Sequence, residues 1–189
     1  MLSVFLFLLS SLGCVLTAHS IPSGGGVIDM IHHNFPKIEM PYISDILILT
    51  QTVTAVTVIN RETLSEMFLI MAVVQCFRIL CMASTVLPPL KNYHDKYRLG
   101  GVNGNGTEYI FSGHASYSAL SSIYLYTLGK FGLLPLVFYN LISQSLIVFT
   151  HNHYTVDVVL AWIITPLVYS VFSLCKQVDT CVQKIEYVL

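Results

Sequence analysis

Charged residues are scarce in this sequence. Of its 189 residues, 10% are charged and 54% are hydrophobic, and the mean hydropathy is positive. A soluble domain normally has about 25% charged residues. The net charge is −1 and basic residues never form a run longer than two, so nucleic acid binding has no electrostatic support. The composition therefore excludes an ordinary soluble domain and predicts an integral membrane protein.

Motifs for metal, redox and nucleotide chemistry are also missing. The five cysteines form no CxxC pair, zinc-ligand spacing or disulfide framework. Cys14, Cys76 and Cys81 fall within apolar segments, where we interpret them as small buried side chains. The chain also lacks a nucleotide-binding loop, so we expect neither a bound metal nor a cofactor.

Six apolar segments follow one another along the chain. We expect each to be a membrane-spanning helix, for which about 20 apolar residues are typical. The first is interpreted as a retained helix, because no basic residue precedes it as in a signal peptide. The predicted helices are Met1–Ala18, Ile43–Ile59, Thr63–Leu87, Ala115–Leu128, Leu133–Thr150 and Tyr154–Leu174, and a short amphipathic tail follows. The prediction is an all-α, polytopic bundle of six transmembrane helices, with residues 1–189 forming one membrane domain.

Two long polar stretches separate the early segments. Residues 19–42 contain several prolines and a triple glycine, and residues 90–111 are polar and glycine-rich, so we expect both to be loops. His32, His33 and His94 lie in these loops. Exposed loop histidines are ordinary, and we assign no catalytic role to them.

A histidine and an aspartate stand together where the last apolar segment begins. His153 and Asp157 are four residues apart, so on a helix they share a face. The carboxylate would accept a hydrogen bond from one imidazole nitrogen and leave the other exposed and basic. This is the arrangement of a base and the group that orients it.

A second histidine, His114, lies 39 residues before His153. The chain between them is mostly apolar and is interrupted at 129–132 by Gly-Lys-Phe-Gly. Two crossings joined by a hairpin at this break would return the chain to the side that it left. We therefore expect His114 and His153 to lie together at one membrane face.

Two histidines and a carboxylate at a membrane surface are suited to attack on a phosphoester. His153, held by Asp157, would attack phosphorus and form a phosphohistidine, while His114 would protonate the departing oxygen and then deprotonate the acceptor. Two alternatives remain open. The histidines would cap helix ends at the interface without any chemistry, or they would bind a metal with Asp157, although a fourth ligand is not evident.

Three further residues are candidates for substrate binding. Arg78 lies inside the third apolar segment, where it would either neutralise phosphate oxygens or form a structural pair with a carboxylate or with backbone carbonyls. Helix geometry places it about 15 Å before Pro88, and therefore below the membrane face where we expect the two histidines. Ser112 would hydrogen-bond phosphate from the turn before the fourth helix. Tyr154 would line a cage for a quaternary amine, or be an ordinary interfacial aromatic residue.

Two blocks of the sequence resemble the active-site motifs of the sphingomyelin synthase family, a branch of the lipid phosphate phosphatase (PAP2) superfamily. They are Glu108-Tyr-Ile-Phe-Ser-Gly-His114 and His151-Asn-His-Tyr-Thr-Val-Asp157. Weaker similarity is found at Arg78 followed by residues 85–89, and at residues 35–39. The resemblance extends from about residue 20 to residue 175.

This resemblance implies a catalytic triad of His114, His153 and Asp157 in a six-helix protein with an exoplasmic site. It also implies transfer of phosphocholine or phosphoethanolamine from a glycerophospholipid to ceramide, with release of diacylglycerol through a phosphohistidine. The partners would be these membrane lipids, and the compartment would be the Golgi, the endoplasmic reticulum or the plasma membrane. A possible glycosylation triplet at Asn105 agrees with a lumenal or extracellular site.

The sequence departs from the family pattern at positions that bear on its chemistry. Animal members commonly have Asp at the position of Asn152 and a shorter acid at that of Glu108, which would contact the head-group amine and influence the choice between choline and ethanolamine. The phosphatase pattern of the superfamily has an arginine six residues before the nucleophilic histidine, where this chain has Ile147. Two alternatives nevertheless remain: a lipid phosphate phosphatase that uses the same three residues with water as acceptor, and a catalytically silent protein that binds membrane lipids.

Overall fold

The computed structural model describes residues 2–20, 28–40, 42–85, 87 and 110–186. Over these residues the regular secondary structure is entirely helical, which confirms the predicted all-α class. The helices are α1 (Leu2–Ser20), α2 (Met30–Asn34), α3 (Ile43–Val58), α4 (Arg61–Ser84), α5 (Gly113–Thr127), α6 (Leu133–Phe149) and α7 (Thr155–Glu186).

The short helix α2 lies in the stretch 19–42, so the prediction of a loop is wrong there. Asp29 precedes the helix with extended backbone angles, and its side chain accepts hydrogen bonds from the backbone N–H groups of Ile31 and His32. An aspartate at this position satisfies amide groups that have no partner within the helix. The local signal is one capping residue followed by five helical residues, which is too short to show an apolar period.

The largest differences at helix ends are found in α4 and α7. α4 stops at Ser84 rather than at Leu87, because Thr85 is extended (φ −143°, ψ 125°) as the chain approaches two prolines. α7 continues through the predicted tail to Glu186 and contains Pro166 within it. The apolar segment and the amphipathic tail are therefore one helix of 32 residues.

The interior of the bundle is polar at places where a soluble protein would be apolar. The Ser118 hydroxyl lies 2.6 Å from Oε1 of Gln51 and 2.5 Å from Oδ1 of Asn140, and all three residues are buried. Large apolar side chains such as Phe138 and Leu167 are instead exposed on the outside. Hydrogen bonds between buried polar side chains and an apolar exterior are features of helix packing in lipid. This distribution indicates a membrane protein.

Two of the described helices are long and apolar enough to cross a membrane, as judged by length and composition. They are α4 and residues 155–180 of α7. Three apolar stretches are shorter: Leu2–Thr17, Ile43–Val58 and Leu133–Phe149. The number of crossings, six, stays a prediction.

The hairpin between α5 and α6 determines where the two blocks that resemble active-site motifs meet. Residues 128–132 form the turn, and Gly129 adopts φ +64°, a conformation that glycine reaches without steric cost. Because α6 runs back alongside α5, the C-terminal end of α6 and the start of α7 lie at the same end of the bundle as the start of α5. The hairpin predicted at this break is present, whereas the two membrane crossings stay a prediction.

Candidate active site

The buried carboxylate of Asp157 is the centre of the site. It has 0% exposed surface and accepts three hydrogen bonds: from Nδ1 of His153 at 3.2 Å, from the backbone N–H of Tyr154 at 2.9 Å, and from the backbone N–H of Ile110 at 2.9 Å. The predicted pairing of His153 with Asp157 is therefore present. Since the carboxylate accepts from Nδ1, the imidazole carries its proton there, and Nε2 is the basic nitrogen.

The turn that leads into α5 is strained and is anchored to the same aspartate. Ile110 and Phe111 have backbone φ values of 90° and 86°, which residues other than glycine rarely adopt. Ile110 donates to the Asp157 carboxylate, and the N–H of Ser112 donates to the Asp157 backbone carbonyl at 3.1 Å. Strained backbone of this kind is concentrated at functional sites. Here two hydrogen bonds to Asp157 of α7 hold the backbone in this strained conformation, and the conformation of the turn determines the direction in which α5 begins.

The imidazole of His153 is buried, which corrects the expectation that one of its nitrogens would be exposed. Its side chain is only 4% exposed. Burial lowers the pKa of His153, and the nearby Asp157 carboxylate opposes this effect without overcoming it. The ring is consequently neutral at neutral pH, which is the state that a nitrogen nucleophile requires.

His114 lies against this buried pair and has a carboxylate partner of its own. The ring centroids of His114 and His153 are 6.1 Å apart, and Nε2 of His114 is 3.0 Å from Oδ1 of Asp45. Asp45 belongs to the first turn of α3 and was not among the predicted site residues. The available sequence signal was a carboxylate at the start of an apolar segment. The side chain of His114 is 43% exposed, so it is the accessible member of the pair.

Arg78 lies closer to the site than its position along the sequence suggested. A Cβ atom built on Gly113 would be 3.1 Å from Nη1 of Arg78, so the guanidinium lies against the first residue of α5. Its Nε is buried without a hydrogen-bond partner. Among the described residues no carboxylate lies within ion-pair distance of Arg78. One structural alternative, a pair with a carboxylate, is thus not seen in this part of the chain.

The other three predicted substrate-binding residues differ in what the structure describes. Ser112 is fully buried and caps α5, because its hydroxyl oxygen accepts the N–H of Ala115 at 3.2 Å. Tyr154 is buried beside Leu87, and Glu108 lies outside the described residues. The roles of Ser112, Tyr154 and Glu108 in binding substrate stay predictions. No group of three or more His, Cys, Asp or Glu side chains in the described ranges is arranged to hold a metal ion.

Comparison with known protein families gives a match over the part of the chain that carries both histidines and Asp157, but not over Asp45 or Arg78. None of the curated proteins matches the chain. Residues 106–174 match the family model of the PAP2 superfamily C-terminal domain, a range that includes both histidines and Asp157. This match points to phosphatase or phosphotransferase chemistry on lipid phosphates, and it does not distinguish the sphingomyelin synthase branch. The match covers fewer than half of the 189 residues, and over residues 106–174 the chain is similar to the C-terminal domain of the PAP2 superfamily.

Proposed function

We propose that this protein transfers a phosphorylated head group, phosphocholine or phosphoethanolamine, from a glycerophospholipid to ceramide. The products are a phosphosphingolipid and diacylglycerol. The observation that carries the proposal is the pair of imidazoles 6.1 Å apart, each with its own carboxylate: Asp157 for His153 and Asp45 for His114. Such a pair supplies one nucleophile and one acid–base group for the same phosphorus atom.

In the first step, Nε2 of His153 attacks the phosphorus of the donor lipid. The P–N bond forms as the bond from phosphorus to the diacylglycerol oxygen breaks, and protonated His114 gives its proton to that oxygen. The Asp157 carboxylate stabilises the positive charge that develops on the His153 ring through the 3.2 Å hydrogen bond to Nδ1. The result is a head-group phosphohistidine and free diacylglycerol.

In the second step, His114 acts as a base. It removes the proton from the primary hydroxyl of ceramide, the hydroxyl oxygen attacks phosphorus, and the P–N bond breaks to restore neutral His153. Asp45 stabilises the imidazolium that His114 becomes. The proton gained by His114 replaces the one that it gave up in the first step, so the cycle closes.

Arg78 and the start of α5 supply the positive potential that a phosphodiester needs. The guanidinium lies beside Gly113, and the first amide groups of α5 point out of the helix end. A planar guanidinium and a helix N-terminus both favour bound anions. In this proposal they hold the non-bridging phosphate oxygens while the two histidines act along the breaking and forming bonds.

The lipid substrates and the membrane location belong to the same proposal. Exposed apolar side chains surround the helices, so both lipids would enter from the bilayer. We place the site on the lumenal or extracellular face of the Golgi, the endoplasmic reticulum or the plasma membrane, as the family resemblance implies.

A lipid phosphate phosphatase is the second candidate function. The PAP2 match supports hydrolysis as well as transfer, and the 43% exposure of the His114 side chain allows water to reach the base. In this case His114 activates water instead of ceramide in the second step. The two functions share the phosphohistidine and differ only in the acceptor.

The test is expression in cells that lack their own ceramide head-group transferases, followed by feeding of fluorescent ceramide and separation of the lipid products. We expect a new phosphosphingolipid with wild type and His33→Ala, which changes an exposed histidine, and none with His153→Ala. If phosphate is released from phosphatidate and no product forms from ceramide, the assigned function changes from transferase to phosphatase. Inactivity of well-expressed wild type on both substrates would favour the silent lipid-binding alternative.

A further inference from the structure

One carboxylate, that of Asp29, caps two helices that are far apart in the chain. Its Oδ1 accepts the N–H of Ile31 at 2.9 Å at the start of α2. The same side chain accepts the N–H of Thr155 at 2.6 Å and the Thr155 hydroxyl at 3.0 Å. Thr155 is the first residue of α7 and lies two residues after His153. The short helix α2 is thus fastened to the start of the helix that carries Asp157.

The same segment also holds the end of α6. Nε2 of His32 lies 3.1 Å from the carbonyl oxygen of Val148, and its ring stacks on His151 with centroids 4.1 Å apart. Farther along, the N–H of Ile38 donates to the carbonyl of Phe149 at 2.9 Å. Asp29, His32 and Ile38, which we term the α2 clamp, therefore contact the chain on both sides of residues 152–154.

The backbone at His151 shows why this turn benefits from an external clamp. His151 has φ 56° and closes α6 with two hydrogen bonds, from its own N–H to the Val148 carbonyl and from the Asn152 N–H to the Ile147 carbonyl. Glycine is the usual residue at this position of a helix end, because a side chain is disfavoured there. The stack with His32 is an interaction that a glycine at position 151 would lack.

We propose that the α2 clamp positions His153 for phosphoryl transfer, with Asp29 as its principal positioning residue. His114 and Arg78 stand on α5 and α4, whereas His153 belongs to the turn between α6 and α7. The distance between the two imidazoles therefore depends on how that turn is fixed, and Asp29 and His32 fix it from both sides. The effect of the clamp on catalysis rests on the proposed function, whereas its effect on the rigidity of the turn between α6 and α7 does not.

The mechanical part is tested by hydrogen exchange on the full chain in detergent, which needs no substrate. We compare Asp29→Ala with His33→Ala, a matched control on the exposed side of α2. Loss of the clamp predicts faster exchange at the amides of Asn152 and Tyr154, neither of which bonds to Asp29. Faster exchange confined to Thr155 would mean the loss of one local hydrogen bond, and it would overturn the clamp.

The catalytic part is tested by separating kcat from KM in the lipid assay. We expect Asp29→Ala to lower kcat about 10²-fold, the effect of a small misplacement of a reacting group, with KM nearly unchanged. Thr155→Val should lower kcat less, because it removes only the hydroxyl bond, and Thr155→Ser should restore it.

The outcomes separate this proposal from the proposed function. If the wild-type protein is inactive on ceramide and on lipid phosphates, the proposed function is overturned. Hydrogen exchange in Asp29→Ala would still show whether the clamp holds the turn. Active wild type with equal kcat in Asp29→Ala and His33→Ala would overturn the positioning role alone. If Asp29→Ala does not fold, the comparison of Thr155→Val with Thr155→Ser decides: equal kcat in the two would overturn the proposal.

Discussion

His114 and Asp45 are joined across two helices by a contact of 3.0 Å between Nε2 and Oδ1. His153 has its own carboxylate four residues farther along the chain, in Asp157. The two imidazoles are thus held by independent partners, one from α3 and one from α7. This independence allows the proposed acid–base group, His114, and the proposed nucleophile, His153, to be altered separately.

Asp45→Asn should lower the rate of head-group transfer without preventing substrate binding. The amide cannot stabilise the imidazolium of His114 as a carboxylate does, so we expect kcat to fall about 10- to 100-fold, less than for His114→Ala, where about 10²- to 10⁴-fold is expected. Steady-state kinetics with a fluorescent lipid measures both. Glu39→Gln, which changes an exposed acid, is the control. A kcat for Asp45→Asn equal to that of the control would show that Asp45 has no part in catalysis.

Gly113→Ala should weaken the binding of the substrate phosphate by the guanidinium of Arg78. The new methyl group would lie 3.1 Å from Nη1 and would push the guanidinium away from the start of α5. The loss of a hydrogen bond to a charged group predicts a fall in kcat/KM of about tenfold. Gly132→Ala is the matched control, because its Cβ would make an ordinary contact of 3.6 Å. The double variant Arg78→Ala, Gly113→Ala should be no worse than Arg78→Ala alone, and additive losses would refute the mechanism.

The pH dependence of the first step should reflect the buried state of His153. Burial lowers its pKa below the ordinary value of 6.5, so the ring stays neutral and nucleophilic at pH values where an exposed histidine is protonated. The acid limb of kcat/KM should therefore lie below pH 6.5. Asp157 raises this pKa, so Asp157→Asn should shift the limb to still lower pH as well as reduce the rate. An acid limb above pH 6.5 would contradict the assignment.

The same shift predicts the sign of a change in stability. The unfolded chain takes up a proton on this histidine near pH 6.5, whereas the folded chain does so only at lower pH. The contribution of His153 to the free energy of unfolding is therefore fully present above pH 6.5 and falls as the pH drops through the lowered pKa. Denaturation in detergent at several pH values, with and without His153→Ala, measures this contribution.

Asn140→Ala should destabilise the bundle. Asn140 donates to Ser122 at 2.6 Å and to the Leu136 carbonyl at 2.7 Å, and its carbonyl oxygen lies 2.5 Å from the Ser118 hydroxyl. Hydrogen bonds between membrane helices contribute about 1 kcal/mol each, so we expect a loss of roughly 1–2 kcal/mol in the free energy of unfolding. Leu141→Ala, one residue away and 60% exposed, should have little effect. Equal melting temperatures for the two variants would argue against a stabilising role for the buried network.

Glu108→Asp should change the ratio of choline to ethanolamine products. The prediction comes from the sequence alone, because Glu108 lies outside the described residues. A carboxylate shorter by one methylene would meet the head-group amine at a different distance. Mass spectrometry of the products measures the ratio, and an unchanged ratio would reject Glu108 as a determinant of head-group choice.

The sequence was sufficient for the six long helices and for the approach of His114 to His153, because long apolar runs and one glycine-containing break determine both. The bounds of α3 and α6 agree with the predicted segments to within one residue. The pairing of His153 with Asp157 was also predictable, since it depends only on helical spacing. These features are local, or depend on one reversal of the chain.

The features that were missed depend on contacts between distant segments. Asp45 reaches His114 only because α3 packs against α5, and an isolated acid at a helix start gives no sign of this. His32 lies in a stretch that resembles a loop, and its stack on His151 follows from the docking of α2. The burial of His153 likewise depends on its neighbours in space, which spacing along the chain does not reveal.

The bond between Asp157 and Ile110 has a consequence for how the protein is made. The strained turn before α5 depends on a carboxylate 47 residues farther along the chain. During synthesis, α5 and α6 emerge before that carboxylate does, since domains and segments are produced from the N-terminus onward. A nascent chain that stops before α7 therefore has His114 and its helix but lacks the contact that holds the turn in place. The candidate site is therefore complete only once α7 has been made, since Asp157 holds both the turn before α5 and the imidazole of His153.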